Sequence, residues 1–217
     1  MTWNEWQIAL PHLMRAWGMT IYVAIAGALV GCAVGLALCV VRASGSRILS
    51  GLVALYVSFF RGVPLLVQML LFYNFLPFVG IDLTASASAI GALSLVGAAY
   101  IAEIFRGSLS AINPGQVEAA TAFGFAPATI WQSILIPQVF RIAMPALVNE
   151  LILLVKASSL ISVVGLAEVT RVSQTFAAST YRPMEFYLAA GAIYLVTNMA
   201  IAFAGTALER RLQKGGR

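Results

Sequence analysis

Arg61, Glu150 and Lys156 stand inside long apolar stretches of the chain. A charge at the centre of a bilayer costs at least about 2.5–3.5 kcal/mol, so each is a candidate for contact with a polar solute or for an internal ion pair. Counting at about 1.5 Å per residue from the cationic ends of their segments puts Arg61 about 18 Å, Glu150 about 12 Å and Lys156 about 21 Å into the membrane. Arg61 and Glu150 therefore lie at similar depth and are expected to pair or to share a polar cavity, within one chain or across a dimer. Lys156, six residues beyond Glu150, falls on another face of the same helix. Glu103 and Arg106 are three apart and are expected to form a local pair beside the membrane surface rather than a transport site. Covalent chemistry finds no foothold: Ser158 and Ser159 have no histidine near them, the one histidine is His12, and Cys32 and Cys39 lack metal-ligand spacing. No catalytic residue and no metal site is expected, and the two cysteines read as small apolar packing residues.

The elements that hold these groups follow from composition. In 217 residues, 61% are hydrophobic and 10% charged, too little polar side chain to cover a soluble globule. Apolar runs at 18–41, 49–80, 86–105, 142–166 and 186–208 each reach the length of about 20 residues that a helix needs to cross the hydrocarbon. The expectation is an all-α polytopic membrane protein with five transmembrane helices in a single domain, 1–217. The second run spans roughly 46 Å as one helix, which calls for a kink at Gly62-Val63-Pro64 or an extension beyond the bilayer. Arg42, Arg47, Arg106, Arg141, Arg210, Arg211, Lys214 and Arg217 fall on one face of this arrangement, against Arg15, Arg171 and Arg182 on the other. Cationic loops stay in the cytoplasm, so the N-terminus is expected outside and the C-terminus inside. The formal charge of +5 is then a matter of topology, with no nucleic-acid partner implied. No removable signal peptide is read at the start, where Glu5 and His12 precede the first apolar run. Gly27, Gly31 and Gly35 form overlapping GxxxG steps that admit a close helix partner, from this chain or from a second subunit.

Between the third and fourth runs the chain changes character. Asn113-Pro114-Gly115 supplies turn chemistry, with Pro137 and Pro145 bracketing the far side. Residues 116–126 between them are expected to form a short helix that starts near Glu118, where an acid complements the helix dipole, and is ended by Gly124 and Pro127. This segment is cytoplasmic by the charge rule yet poor in charge, and it carries Phe123 and Phe125. Such a helix is better explained as a knob seated in another protein than as a solvated loop. The longest polar stretch between spans, 169–185, is placed on the outer face.

Residues 118–137, EAATAFGFAPATIWQSILIP, carry Glu-Ala-Ala, a glycine four residues on, and Ile-x-Ile-Pro at the close. The pattern resembles the EAA loop of bacterial ATP-binding-cassette (ABC) importer permeases, differing at Ile136, where leucine is commoner. That resemblance implies a type I importer permease fold in which 116–126 is a coupling helix, with Glu118, Ala119, Ala120, Phe123, Gly124 and Phe125 contacting a cytoplasmic ATP-binding subunit. The chain has no GxxxxGK[ST] phosphate loop, so ATP and magnesium are expected to act on that partner, with no cofactor bound here.

The segments 59–68, 98–120 and 149–171 further resemble the polar amino-acid uptake branch, which imports histidine, glutamine, arginine and related solutes. The resemblance implies a substrate pathway through Arg61, Gly62, Pro64 and Gln68 on the second span and Glu150, Lys156, Ser158 and Ser159, beside Leu160, on the fourth. Ala157 departs from the acid or asparagine common there, which favours a neutral or zwitterionic solute or a non-identical partner permease. The remaining partners implied are a second permease copy, identical or not, an extracytoplasmic solute-binding protein and the lipid of the bacterial inner membrane. Transport would proceed by alternating access driven by the ATPase. An ion-coupled carrier or channel explains Arg61 and Glu150 equally well but gives the 116–126 segment no purpose.

Overall fold

The computed structural model describes residues 3–214, with side chains described from 5 to 211. Arg217 and the side chain of Lys214, both counted in the cationic tail, lie outside these limits.

A helix made of small residues forms the axis of the molecule. Helix α4, Ala85–Ser110, buries Ala89, Ala92, Gly97, Ala98, Ala99 and Ala102, and starts from Thr84, whose hydroxyl accepts the N–H of Ala87. Helix α1, Trp3–Ala43, lies along it. The glycine stripe resolves its own question of partner: a Cβ on Gly27 would meet Leu93, one on Gly31 the backbone of Ser94, Gly97 and Ala98, and one on Gly35 the Ile101 side chain and the Ala98 carbonyl. The close neighbour is a helix of the same chain. The first helix also begins well before residue 18, and its early turns carry Ala9 and Ala16 into clusters with Ala177 and Phe186 and with Val169 and Ala190.

The long second run is broken in two. Helices α2, Arg47–Gly62, and α3, Leu65–Phe75, meet at 102°, and α3 tightens into a 3₁₀ turn over Leu76–Val79. Val63 and Pro64 are both extended, as expected for a residue before proline and for a proline with no N–H to continue the ladder. Pro64 is the residue whose N–H would have bonded the Phe60 carbonyl. Gln68 supplies the missing donor: its buried Nε2 donates to Phe60 O at 3.0 Å and to Val63 O at 2.7 Å. The kink expected at 62–64 is thus a stapled right-angled bend.

After α4, helix α5 spans Pro114–Ala122; a single turn α6, Pro127–Thr129, runs through a π-helix, Ile130–Leu135, into α7, Ile136–Ala157, and a 3₁₀ segment, Ser158–Val164. Two expectations are corrected here. Pro137 and Pro145 are not loop brackets: Pro137 sits where the π-helix passes into α7, and Pro145 lies inside α7. The fourth span accordingly begins near Pro127 rather than at 142. The stretch 169–185 is not a loop either. It holds helix α8, Val169–Thr180, capped by Glu168 and leading into α9, Pro183–Lys214. Among the described residues four helices, Glu5–Ala43, Ala85–Ser110, Pro127–Val164 and Pro183–Arg211, are long and apolar enough to cross a membrane, and the bent pair makes a fifth if taken as one span.

Candidate functional site

On the side of α4 away from α1 lies a cavity of about 510 Å³ lined by Arg61 from α2, Tyr100, Glu103, Ile104 and Arg106 from α4, and Ala146, Asn149 and Glu150 from α7. The α7 contribution follows i, i+3, i+4 spacing, one face of a helix. Arg61 and Glu150 share this cavity, yet among the described residues no ion pair joins them. The guanidinium of Arg61 instead lies 5.1 Å from the centroid of the Tyr100 ring, a cation–π contact. Glu150 is 6% exposed and is one of the residues lining the cavity. Within this chain the two residues line one cavity.

The remaining pathway candidates are placed elsewhere. Gly62 and Pro64 form the bend beside Arg61, and Gln68 turns inward to staple it. Ser158 is fully buried, with its hydroxyl donating to Val155 O at 2.7 Å, while Ser159 donates to Lys156 O at 2.7 Å. These two bonds mark the point where α7 tightens into its 3₁₀ segment. Lys156 is exposed in the last turn of α7, and neither it nor the serines line the cavity.

Glu103 and Arg106 form the local pair that their spacing predicts, with Nε and Nη2 of Arg106 donating to Glu103 Oε2 at 2.8 and 2.7 Å. The other carboxylate oxygen accepts from Nη1 of Arg42 on α1. Sequence reasoning stopped at the pair. The cavity lining adds Tyr100, Glu103, Arg106 and Asn149, and a signal was present: Tyr100, Glu103 and Ile104 repeat the i, i+3, i+4 spacing seen on α7.

The second part of the site is α5. Pro114 occupies its first position, and the side chain of Asn113 accepts the N–H of Gly115 at 2.9 Å. At the other end Gly124 adopts φ +80°, and the N–H groups of Gly124 and Phe125 return to Thr121 O and Ala120 O at 2.9 and 3.1 Å. This is the Schellman cap, which needs a residue free to adopt the left-handed conformation. The helix is therefore shifted from the expected 116–126: it starts two residues earlier and stops at Ala122, with Phe123–Ala126 forming its cap and exit. Glu118 falls beyond the first turn, so the expected dipole role does not hold. Ala120 packs inward with Ile112, Ile130 and Leu135, while Ala119 and Glu118 face out and Phe123 and Phe125 are 84% and 50% exposed. Phe123 and Phe125 thus form an exposed aromatic pair at the capped end of a nearly uncharged helix.

An axis of small residues, a set of membrane-crossing helices and a protruding short helix between the third and fourth of them define an all-α polytopic permease. The chain belongs to the family of binding-protein-dependent transport system inner membrane components, whose pattern matches residues 35–214. It is 36% identical over 205 residues to the arginine transport system permease protein ArtQ of Bacillus subtilis (strain 168), covering 94% of each chain. It is 30% identical over 213 residues to the glutamine transport system permease protein GlnP of Escherichia coli (strain K12), covering 97% of each. Its fold is similar to a crystal structure of an amino acid ABC transporter with histidines, at TM-score 0.88 and 32% identity, covering 97% of this chain and 99% of that one. The inward-facing MetNI methionine ABC transporter shares the fold at TM-score 0.78 and 24% identity, covering 98% and 99%. The type I ABC importer permease fold is thus established, and the chain is a transport component rather than an enzyme. Membership implies a separate ATPase subunit and a partner permease.

Proposed function

We propose that this permease carries amino acids or closely related polar solutes inward across the bacterial cell membrane, with its N-terminus outside and its C-terminus in the cytoplasm. The observation that carries the solute class is the cavity: a cation, Arg61, and an acid, Glu150, without an ion pair between them, on facing helices. Those charges complement the carboxylate and ammonium groups that all amino acids share, and permeases of 30–36% identity are named for arginine and glutamine. In this account Arg61 receives the carboxylate and Glu150 the ammonium. The Tyr100 ring holds Arg61 in place when no solute is bound.

Helix α5 and its Phe123–Phe125 cap dock on the ATP-binding subunit, where ATP and magnesium act, and no cofactor is bound by this chain. A second permease copy, identical or not, completes the pathway by closing the open side of the cavity. An extracytoplasmic binding protein delivers solute to the face that includes α8, and lipid surrounds the exposed apolar faces. ATP binding draws the two ATPase subunits together, α5 moves with them, and the cavity alternates between outward and inward access.

The test is uptake in vesicles holding the permease, its ATPase and its binding protein, across the twenty amino acids. ATP-dependent uptake of at least one is expected, lost in Arg61→Gln and in Glu150→Gln at unchanged assembly. If both variants transport at the original rate, the cavity is not the pathway.

A further inference from the structure

The wall of the cavity nearer α5 is made by Glu103, Ile104 and Arg106, in the closing turns of α4. Here the charges are engaged, unlike those at Arg61 and Glu150. Glu103 divides its two oxygens: Oε2 takes the Nε and Nη2 fork of Arg106, and Oε1 takes Nη1 of Arg42. One carboxylate therefore faces two guanidiniums, and the cluster keeps a surplus positive charge. Glu103 keeps 19% of its side chain exposed and Arg106 48%, so the pair is within reach of an incoming group while the Glu103 carboxylate is held in place.

Arg106 gives both N–H donors of this fork to one oxygen of Glu103, and an incoming carboxylate can take up the same two donors. A solute that leaves Arg61 toward α5 meets such a fork already filled by an internal carboxylate. We propose that Glu103 and Arg106 form the release station of the pathway: Arg106 takes up the α-carboxylate of the departing solute, and Glu103 competes for the same fork and expels it. This rests on the solute being an amino acid, and it adds the groups that let it go. Exchange of one carboxylate for another on the same two donors is nearly balanced, which is what release requires, because a cation with no internal partner would retain an anionic group. Arg42 has a separate part. It lies on α1, outside the cavity lining, and clamps the opposite oxygen of Glu103, so that the carboxylate stays within reach of Arg106.

The clamp and the station sit on different oxygens, so substitution separates them. The assembled complex of permease and ATPase in nanodiscs is first scanned with radiolabelled amino acids loaded on the binding protein, and the best transported one becomes the probe. Equilibrium binding of that probe, and of its α-carboxamide, is then measured without ATP. Glu103→Gln is expected to tighten probe binding about tenfold and to lower the maximal uptake rate by a similar factor, while leaving carboxamide binding unchanged. Arg106→Gln in the same background is expected to abolish the tightening. Arg42→Gln is expected to lower the thermal midpoint and to tighten the probe by less than Glu103→Gln does, because the competing carboxylate is loosened and not removed. Unchanged probe affinity in Glu103→Gln, equal tightening for the carboxamide, or the same tightening in Arg42→Gln would each overturn the assignment. Should Glu103→Gln fail to assemble, Glu103→Ala takes its place, with about the same tenfold tightening of the probe expected and unchanged affinity refuting the assignment. If the unmodified complex takes up no amino acid, the solute class itself falls and this assignment with it.

Discussion

Gly31 and Gly18 occupy the same helix but different surroundings, and the pair isolates what holds α1 to the axis. A Cβ added to Gly31 would stand 3.2 Å from Ser94 O, 3.3 Å from Ala98 N and 3.4 Å from the Gly97 carbonyl carbon, whereas one added to Gly18 would meet nothing within 4 Å. All three neighbours at Gly31 are backbone, so none can swing aside and the helices must separate. Replacing glycine by alanine within a helix gains about 0.5–1 kcal/mol from propensity at both positions, and this contribution cancels in the comparison. What is left is overpacking, about 1–3 kcal/mol. Gly18→Ala should therefore be neutral or slightly stabilising, and Gly31→Ala should be less stable than Gly18→Ala by about 1–3 kcal/mol. The assay is reversible unfolding of the purified permease in mixed micelles, followed by tryptophan fluorescence. A difference below about 0.5 kcal/mol would refute the reasoning that backbone contact at this stripe seats α1 on α4.

Gln68→Leu keeps the volume but removes the donor to Phe60 O and Val63 O, and a loss of about 1–3 kcal/mol in the same unfolding assay is expected; unchanged stability would remove the staple from the account of the bend. Gly124→Val forces a β-branched residue toward φ +80°, at about 1–2 kcal/mol, and should cut ATP-driven uptake at normal membrane yield, while Gly124→Asn retains most of it because asparagine tolerates that conformation. Equal uptake in the valine variant would count against a fixed cap geometry. Glu168, fully buried at the start of α8, is pushed above the usual carboxylate range by burial, opposed by the N–H groups of Thr170 and Arg171 and the hydroxyl of Tyr194. A raised folded-state value means that the folded form holds the proton more tightly. Its contribution is present at acid pH and is lost as pH rises from the unfolded carboxylate range through the folded one. The thermal midpoint of the wild type should fall across that interval, and Glu168→Gln should flatten the decline.

Membrane class was legible because hydropathy needs only local composition, and the short α5 helix because Asn-Pro-Gly and a later glycine are local signals; the five expected spans compare with four, or five if the bent pair is one. Its limits were misjudged for a local reason as well: Asn113-Pro114 is a cap followed by a first helical residue, so the turn residues belong to the helix start. The right angle at 62–64 was visible as an interruption but not as an angle, since the amide that satisfies Phe60 O comes from a residue eight positions on whose rotamer depends on packing. Helix α8 was hidden by polarity, although Val169, Val172 and Phe176 lie at i, i+3 and i+7. The partner of the glycine stripe was out of reach, because any close helix would satisfy that spacing. Of the cavity, Arg61 and Glu150 were found as charges in apolar surroundings. Glu103 and Arg106 were set aside because their mutual pairing explained them, and only the tertiary arrangement shows that a paired group can also line a cavity.

The central claim is that the cavity is driven by a separate ATPase through α5 and its exposed cap. The direct measurement is amino-acid uptake into proteoliposomes holding the permease with its loaded binding protein, compared with and without the ATPase subunit, and with Phe123→Asp in the complete complex. Uptake that requires the ATPase and ATP, and that collapses in Phe123→Asp while solute still binds, is the predicted result. Uptake without the ATPase, sustained by an imposed proton or sodium gradient and indifferent to Phe123→Asp, would contradict the account.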